Sequence, residues 1–127
     1  MHIFGPKGSI SSQYSFAIVL GIIITSSLLA ATGVNSILIT SGIALMIVLV
    51  ASLRNGSLAS RAAIGGISAM TALFAVYAAG FLLSTNTEFV LQNIWLLYGT
   101  SLDMRIVGVP LTELLWGLAF GALAAIL

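Results

Sequence analysis

The sequence predicts an all-α integral membrane protein, a single domain built as a bundle of about four transmembrane helices. Of its 127 residues, 60% are hydrophobic and only 6% are charged, whereas soluble domains carry about 25% charged residues. The apolar residues fall into four runs, each close to the ~20 residues that a membrane-spanning helix needs. Short polar or turn-forming stretches separate the runs. We therefore expect a multi-pass protein in the lipid bilayer of the cell membrane.

The first predicted span covers residues 12–32, and the GVNS that follows at 33–36 has the composition of a turn. A cleaved signal peptide is the alternative, because Lys7 precedes the apolar stretch and small residues follow it. The stretch at 14–31 is longer, however, than the apolar core of a signal peptide, which has about 7–15 residues. We therefore expect the first helix to be retained.

The second and third predicted spans cover residues 37–53 and 62–83, with a polar loop at 54–61 between them. Small residues of the third span fall within one arc of about 120° on a helical wheel. They are Ala62, Gly65, Gly66, Ala69, Ala72 and Gly80. Faces of small residues let membrane helices approach closely, so helix packing explains the arc. A groove for a flat apolar ligand is the alternative.

The segment before the last span, FVLQNIWLLYGTSLDM (89–104), is too short and too polar to cross a membrane. It combines Trp95 and Tyr98 with Gln92 and Asn93. Aromatic side chains concentrate at membrane–water interfaces, which favours an interfacial helix. The alternative is a re-entrant lid over a cavity.

The fourth predicted span, 106–127, contains a carboxylate near its start. Pro110 suits the first turn of a helix, where its missing N–H costs nothing. Glu113 then lies near the helix N-terminus, where the dipole and the free N–H groups favour a negative charge. The first interpretation of Glu113 is therefore structural.

A functional interpretation starts from the face that Glu113 shares with Trp116 and Phe120, which lie within about 60° of it on a helical wheel. Ionisable groups in membrane spans tend to mark functional sites, and a desolvated acid can hold a proton for delivery. Aromatic faces can stabilise a cation. The arrangement would suit acid-initiated chemistry on an apolar alkene.

The distribution of charge predicts the topology. Four spans place Lys7, Arg54 and Arg61 on one side of the membrane, and the charged residues of 88–105 on the other. By the positive-inside rule, the side with the three basic residues and both termini is cytoplasmic.

Composition also limits the partners. A formal net charge of +1 gives no footprint for nucleic acid. The sequence has no cysteine, which excludes disulfides and thiolate metal sites. The single histidine, His2, lies at the N-terminus, so we expect neither a metal nor a cofactor.

The segment GTSLDMRIVGVPLTELLWGLAFGALAAIL (99–127) resembles the end of the lycopene cyclase domain family. That family opens its last helix with a hydrophobic-Gly-Ile/Val-Pro-Leu-Glu-Glu-hydrophobic pattern. The matching positions are Ile106, Gly108, Val109, Pro110, Leu111, Glu113 and Leu114. The second acid of the family pair corresponds to Glu113, but Thr112 stands where the family has the first. The likeness extends loosely back to Ile37, and the span at 12–32 lies outside it.

The resemblance implies a helical membrane domain that cyclises the ends of lycopene without redox chemistry, beginning with protonation of a terminal double bond. Glu113 would be the proton donor or its partner. The residues expected to line the substrate are Trp116, Phe120, Pro110, Trp95 and Asn93. Family domains also occur as two small chains that pair, so a partner chain could supply the acid that Thr112 replaces.

Two hypotheses follow. The chain is either a lycopene-cyclase-like domain, such as one half of a heteromeric carotenoid cyclase, or a non-catalytic accessory subunit of a larger membrane complex. Both imply other membrane chains as partners, and the first also implies a carotenoid or another apolar lipid. The motif around Glu113 favours the first hypothesis, and Thr112 favours the second.

Overall fold

The fold consists mainly of helices. The computed structural model describes residues 12–33, 35–95 and 97–127, so the predictions that involve His2 and Lys7 lie outside the described residues. Within the described part five helices form: α1 (Ser12–Ala30), α2 (Ser36–Arg54), α3 (Gly56–Leu83), α4 (Thr87–Ile94) and α5 (Leu111–Ile126). Two short strands, β1 (Arg105–Ile106) and β2 (Val109–Pro110), pair antiparallel between α4 and α5. The predicted all-α class is confirmed.

Two of these helices, α2 and α3, are long and apolar enough to cross a membrane, judged by length and composition alone. At 1.5 Å per residue, the 28 residues of α3 extend about 42 Å and the 19 residues of α2 about 28 Å. The 16 residues of α5 reach about 24 Å, against a hydrocarbon core of about 30 Å. Helices α1, α2, α3 and α5 overlap the four predicted runs, and length by itself supports two spans.

A single residue, Asn55, separates α2 from α3. Its Oδ1 accepts hydrogen bonds from the backbone N–H of Ser57 (3.1 Å) and from the Ser57 hydroxyl (2.8 Å), as suits one of the best N-cap residues. Its own N–H donates to the carbonyl of Ala51 (2.9 Å), which closes α2. The polar loop predicted at 54–61 is therefore wrong, because one capping residue ends the first helix and starts the next.

The start of the last helix also differs from the prediction. The span predicted from residue 106 opens with the β1–β2 hairpin, whose turn residues Val107 and Gly108 have φ of 52° and 83°. Two consecutive positive φ values are the pattern of a type I′ hairpin turn. Pro110 stays extended (φ −60°, ψ 129°) as the N-cap residue, so α5 begins at Leu111.

Helices α3 and α5 cross antiparallel with their backbones in close approach. A Cβ atom built on Gly65 would lie 2.6 Å from the carbonyl oxygen of Gly121, and one built on Gly121 would lie 2.6 Å from the carbonyl oxygen of Gly65. One turn away, a Cβ on Gly117 would lie 3.2 Å from Cδ2 of Leu73. Only glycine fits at both positions of the crossing, and this allows the backbone approach that small residues give membrane helices.

The small arc predicted on the third span is divided in the structure. Gly65, Gly66 and Ala69 lie against α5, which confirms the predicted helix packing for this half of the arc. Ala72 and Gly80 are exposed, and a Cβ on Gly80 would meet nothing within 4 Å. The arc is therefore a packing face over its first half and an open surface over the rest.

The remaining helices complete the bundle. Helix α2 packs on α5, α3 and α1, and the Ser15 hydroxyl donates to the carbonyl of Leu127 (3.2 Å), joining the start of α1 to the end of α5. Arg54 and Arg61 lie at the junction of α2 and α3, and we call the opposite end, where α3 stops and α5 begins, the cap end. The core cluster lies nearer the arginine end and contains Ile22, Ala44, Ala51, Leu58, Ala62, Ala119, Ala122, Leu123 and Ile126.

The Gly121→Ala variant should destabilise the bundle, because the added methyl group would collide with Ala69 and with the carbonyl of Gly65. Overpacking of this kind costs roughly 1–3 kcal/mol. Gly80→Ala is the matched control, since its methyl group meets nothing within 4 Å and alanine is the better helix former. Thermal unfolding in detergent, followed by circular dichroism, compares the two. Equal melting temperatures would contradict the close crossing.

Candidate functional site

The cap end is closed by a polar cluster that we call the cap, formed by Glu88, Gln92, Tyr98, Asp103 and Arg105. The Arg105 guanidinium binds Asp103 in a bidentate pair, with Nε to Oδ1 at 2.6 Å and Nη2 to Oδ2 at 2.8 Å. Its Nη1 donates to Oε1 of Glu88 at 2.9 Å. Bidentate pairs fix orientation as well as energy, so Arg105 ties the start of the hairpin to α4.

Aromatic side chains and backbone groups complete the cap. The guanidinium of Arg105 lies 5.1 Å from the ring centroid of Tyr98 and 5.9 Å from that of Trp95, within cation–π range. The Tyr98 hydroxyl donates to Oε2 of Glu88 (2.9 Å). The N–H of Gly99, which has a φ of 72°, donates to Oδ2 of Asp103 (2.9 Å).

These contacts keep the Asp103–Arg105 pair charged. The hydrogen bonds from Arg105 and from the Gly99 backbone lower the pKa of Asp103 below its usual value of 3.8. Hydrogen bonding to Asp103, with a further contribution from Glu88, raises the pKa of Arg105. Neutral pH therefore leaves this pair fully ionised.

Beneath the cap lies a small cavity of about 90 Å³, which we call the chamber. It is enclosed by residues from α3, α4, β2 and α5. The lining residues are Tyr77, Phe81, Val90, Leu91, Trp95, Pro110 and Glu113. Glu113 occupies the first turn of α5, as the position of Pro110 predicts, and its side chain is partly buried. Its carboxyl group lies close to Tyr77, which lines the chamber from α3.

Two buried polar atoms near the start of α5 stand without a partner among the described residues. Trp95 is 8% exposed, and its Nε1 donates to no acceptor. Thr112 is 7% exposed, and its Oγ1 is likewise unpaired. Of these two residues only Trp95 lines the chamber.

The structure brings together three of the six predicted site residues. Glu113, Pro110 and Trp95 all line the chamber. Asn93 instead is exposed and donates from Nδ2 to the carbonyl of Phe89 (2.7 Å). The side-chain amide of Asn93 is thus bonded to the backbone of its own helix, α4.

Trp116 and Phe120 lie outside the chamber. Their rings pack on each other at 5.0 Å between centroids, Trp116 is 39% exposed, and Phe120 lines a separate apolar cavity between α1 and α5. The physical reason is the glycine crossing: Gly117 and Gly121 turn their side of α5 toward α3, which carries the two aromatic rings away from the chamber.

The aromatic wall beside Glu113 comes from α3 and was missed in the sequence. Tyr77 and Phe81 line the chamber, with ring centroids 5.8 Å apart. Together with Phe74 they recur at helical spacing on one face of α3, and this recurrence was the available signal.

A larger apolar groove of about 410 Å³ lies between α3 and the side of α5 that faces away from Glu113. Its lining residues carry no ionisable group, and Glu113 is not among them. They are Met70, Thr71, Phe74, Ile106, Leu111, Leu114, Leu115 and Leu118. The acid and this apolar groove are thus on different sides of α5.

Comparison with known proteins gives no relative from which to transfer a function. No protein-family model, no curated protein and no solved structure matches the chain. The resemblance to lycopene cyclase domains therefore stays a prediction that rests on the residues quoted for it.

Acidification should loosen the cap. Because the pKa of Asp103 is lowered in the folded chain, its stabilising contribution is fully present above the usual value of 3.8 and is lost as the pH falls below it, through the lowered pKa. The protection of the Gly99 amide against hydrogen exchange, measured by NMR in detergent, should fall over that range. In Asp103→Asn the protection should be weak at every pH. Unchanged protection of the parent protein below the titration range of Asp103 would contradict this account.

Proposed function

We propose that the chain is a small multi-pass membrane subunit with four spans, similar in ancestry to lycopene cyclase domains, that packs beside other membrane chains and has no complete catalytic centre of its own. Glu113 then acts as a structural acid at the first turn of α5. Four features support this proposal: the exposed apolar faces, the open surface of α3, the size of the chamber and the unpaired Thr112.

The outer faces of the helices are apolar. Large hydrophobic side chains point away from the bundle and are mostly exposed; they include Phe16 (72%), Leu53 (79%), Val76 (70%), Leu82 (87%) and Leu83 (86%). Such surfaces are unfavourable in water but match the hydrocarbon of a bilayer. A short helix such as α5 is accommodated by local bilayer thinning at a modest cost. These faces support the four-span arrangement.

The face of α3 turned away from α5 supports a neighbour in the membrane. Its exposed residues include Ser68, Ala72, Ala75 and Ala79. Small side chains at this spacing leave the backbone accessible to another helix. The surface thus suits a subunit of a larger assembly.

The single observation that carries the proposal is the size of the space around Glu113. Sites for small molecules typically measure about 300–1,000 Å³, and the chamber has about 90 Å³. A carotenoid end group does not fit there. The described cavities that reach this range, of about 340, 410 and 430 Å³, are lined without Glu113. Among the described residues, no cavity of this size therefore brings Glu113 to an alkene.

Thr112 also supports the proposal. It stands at the position where the resembling family has its first acid, and its buried hydroxyl has no partner among the described residues. A hydroxyl cannot replace a carboxyl group as a proton donor to an alkene. One carboxylate remains, and it lies beside Tyr77 in the small chamber.

The second candidate is one half of a heteromeric cyclase. The groove of about 410 Å³ favours it, because Leu111 and Leu114 bring the groove to the same first turn that contains Glu113. A partner chain that contributed a carboxyl group to this groove would complete a site of suitable size.

Expressed alone in lycopene-accumulating cells, the chain should give little or no cyclised product, which pigment analysis measures. Glu113→Gln should leave the folded protein nearly unchanged, since the amide keeps a hydrogen-bonding group. Glu113→Leu should destabilise it by roughly 1–3 kcal/mol, because it removes a polar group that the chamber shares with Tyr77 and Trp95. Efficient cyclisation by the single chain, abolished by Glu113→Gln, would establish a complete enzyme instead.

Single cysteines at Ser57 and Thr85 should be labelled from opposite sides of the membrane. The sequence has no cysteine, so each variant carries one reactive thiol, and both positions are exposed. The four-span arrangement places Ser57 in the cytoplasm, because it lies between Arg54 and Arg61. A membrane-impermeant maleimide on intact cells should label Thr85→Cys and spare Ser57→Cys. Labelling of both from the same side would overturn the arrangement.

A further inference from the structure

One of the side chains that line the chamber has a donor that no group of the described chain satisfies. Trp95 lines the chamber, is 8% exposed, and has a buried Nε1 without an acceptor. Buried donors in native proteins are nearly always paired with protein or with ordered water, since an unpaired polar group costs free energy when it leaves water. An acceptor atom is therefore expected in the chamber beside the indole.

The other polar groups of the chamber can hold the same occupant. The carboxyl group of Glu113 lines it from α5, and Tyr77, its interaction partner, lines it from α3. A buried water typically makes about three hydrogen bonds, and three polar side chains are present. The chamber volume of about 90 Å³ exceeds the ~30 Å³ that one water occupies in the liquid.

We propose that the chamber is a hydration site, in which ordered water accepts the indole N–H of Trp95 and hydrogen-bonds to Glu113 and Tyr77. The required chemistry is an oxygen acceptor, which the polar end of a membrane amphiphile could also provide. Water is the source favoured by position: the ring of Trp95 is also contacted by the Arg105 guanidinium (5.9 Å), so the chamber lies directly beneath the charged cap.

This site goes beyond the proposed function, because it holds whether or not the chain takes part in cyclisation. The water joins Trp95, at the end of α4, to Glu113, at the start of α5, where the protein supplies no direct bond between the two.

The test uses the indole itself as the reporter. The chain has two tryptophans, so Trp116→Phe leaves Trp95 as the single one. Ultraviolet resonance Raman spectroscopy of this variant in detergent reports whether the indole N–H is hydrogen-bonded. We expect the hydrogen-bonded position of the marker band, and complete N–H to N–D exchange within minutes of dilution into D₂O.

A plugged chamber provides the matched comparison. In the same background, Val90→Phe adds apolar bulk at a residue that lines the chamber and should move the marker to the unbonded position. Val76→Phe is the control, because Val76 is 70% exposed and lies outside the chamber; it should leave the marker unchanged. Circular dichroism establishes that both variants keep their helices.

The outcomes test both the site and the source of the acceptor oxygen. An unbonded N–H in the Trp116→Phe protein with native helicity would overturn the site altogether. A bonded N–H that resists exchange for hours, and becomes unbonded when bound lipid is removed by detergent washing, would assign the acceptor to an amphiphile and overturn the water. Pigment cyclisation is not measured in these experiments, so they test the hydration site independently of the proposed function.

Discussion

The close approach of two backbones at Gly65 and Gly121 determines the position of nearly everything else in the described chain. Because neither crossing residue has a side chain, each glycine lies close to the carbonyl oxygen of the other. The rotation of α5 about its axis follows from that contact. This rotation places Glu113 opposite Tyr77 and turns Trp116 away. The parts of the chamber that α3 and α5 supply, and the separation of the acid from the large groove, follow from this contact.

The cap shows how a chain with few charges uses them. Three of the seven charged residues, Glu88, Asp103 and Arg105, lie in one network at one end of the bundle. Exposed ion pairs contribute little individually, but here a bidentate pair, a second carboxylate and two aromatic rings converge on one guanidinium. The network holds α4 and the hairpin over the chamber.

Local chemistry made part of this architecture predictable. The apolar runs gave the helices, and Pro110 gave the position of Glu113 in the first turn of α5. The capping role of Asn55 was not predicted, because the polar stretch at 54–61 has the composition of a loop although its single asparagine caps a helix. Val107 could not be anticipated, since a β-branched residue at positive φ is an outlier that the hairpin around it must impose.

The partners of Glu113 were out of reach for a different reason. A helical wheel relates a residue to its own helix, so it pointed to Trp116 and Phe120. The residues that enclose the carboxyl group belong to α3, α4 and β2, and their arrangement depends on the angle at which α5 is docked. That angle is a tertiary property, visible only when both glycines are seen in contact.

The junction at Asn55 has a consequence for biogenesis. In the membrane arrangement proposed above, α2 and α3 are joined by one non-helical residue. This connection is too short for one helix to insert into the bilayer while the other stays outside it. The two must enter the bilayer together as a helical hairpin, with their connected ends staying where synthesis occurs. Arg54 and Arg61 flank that junction and would oppose its translocation. This pair of helices would therefore set the orientation in the membrane that α4 and α5 then adopt.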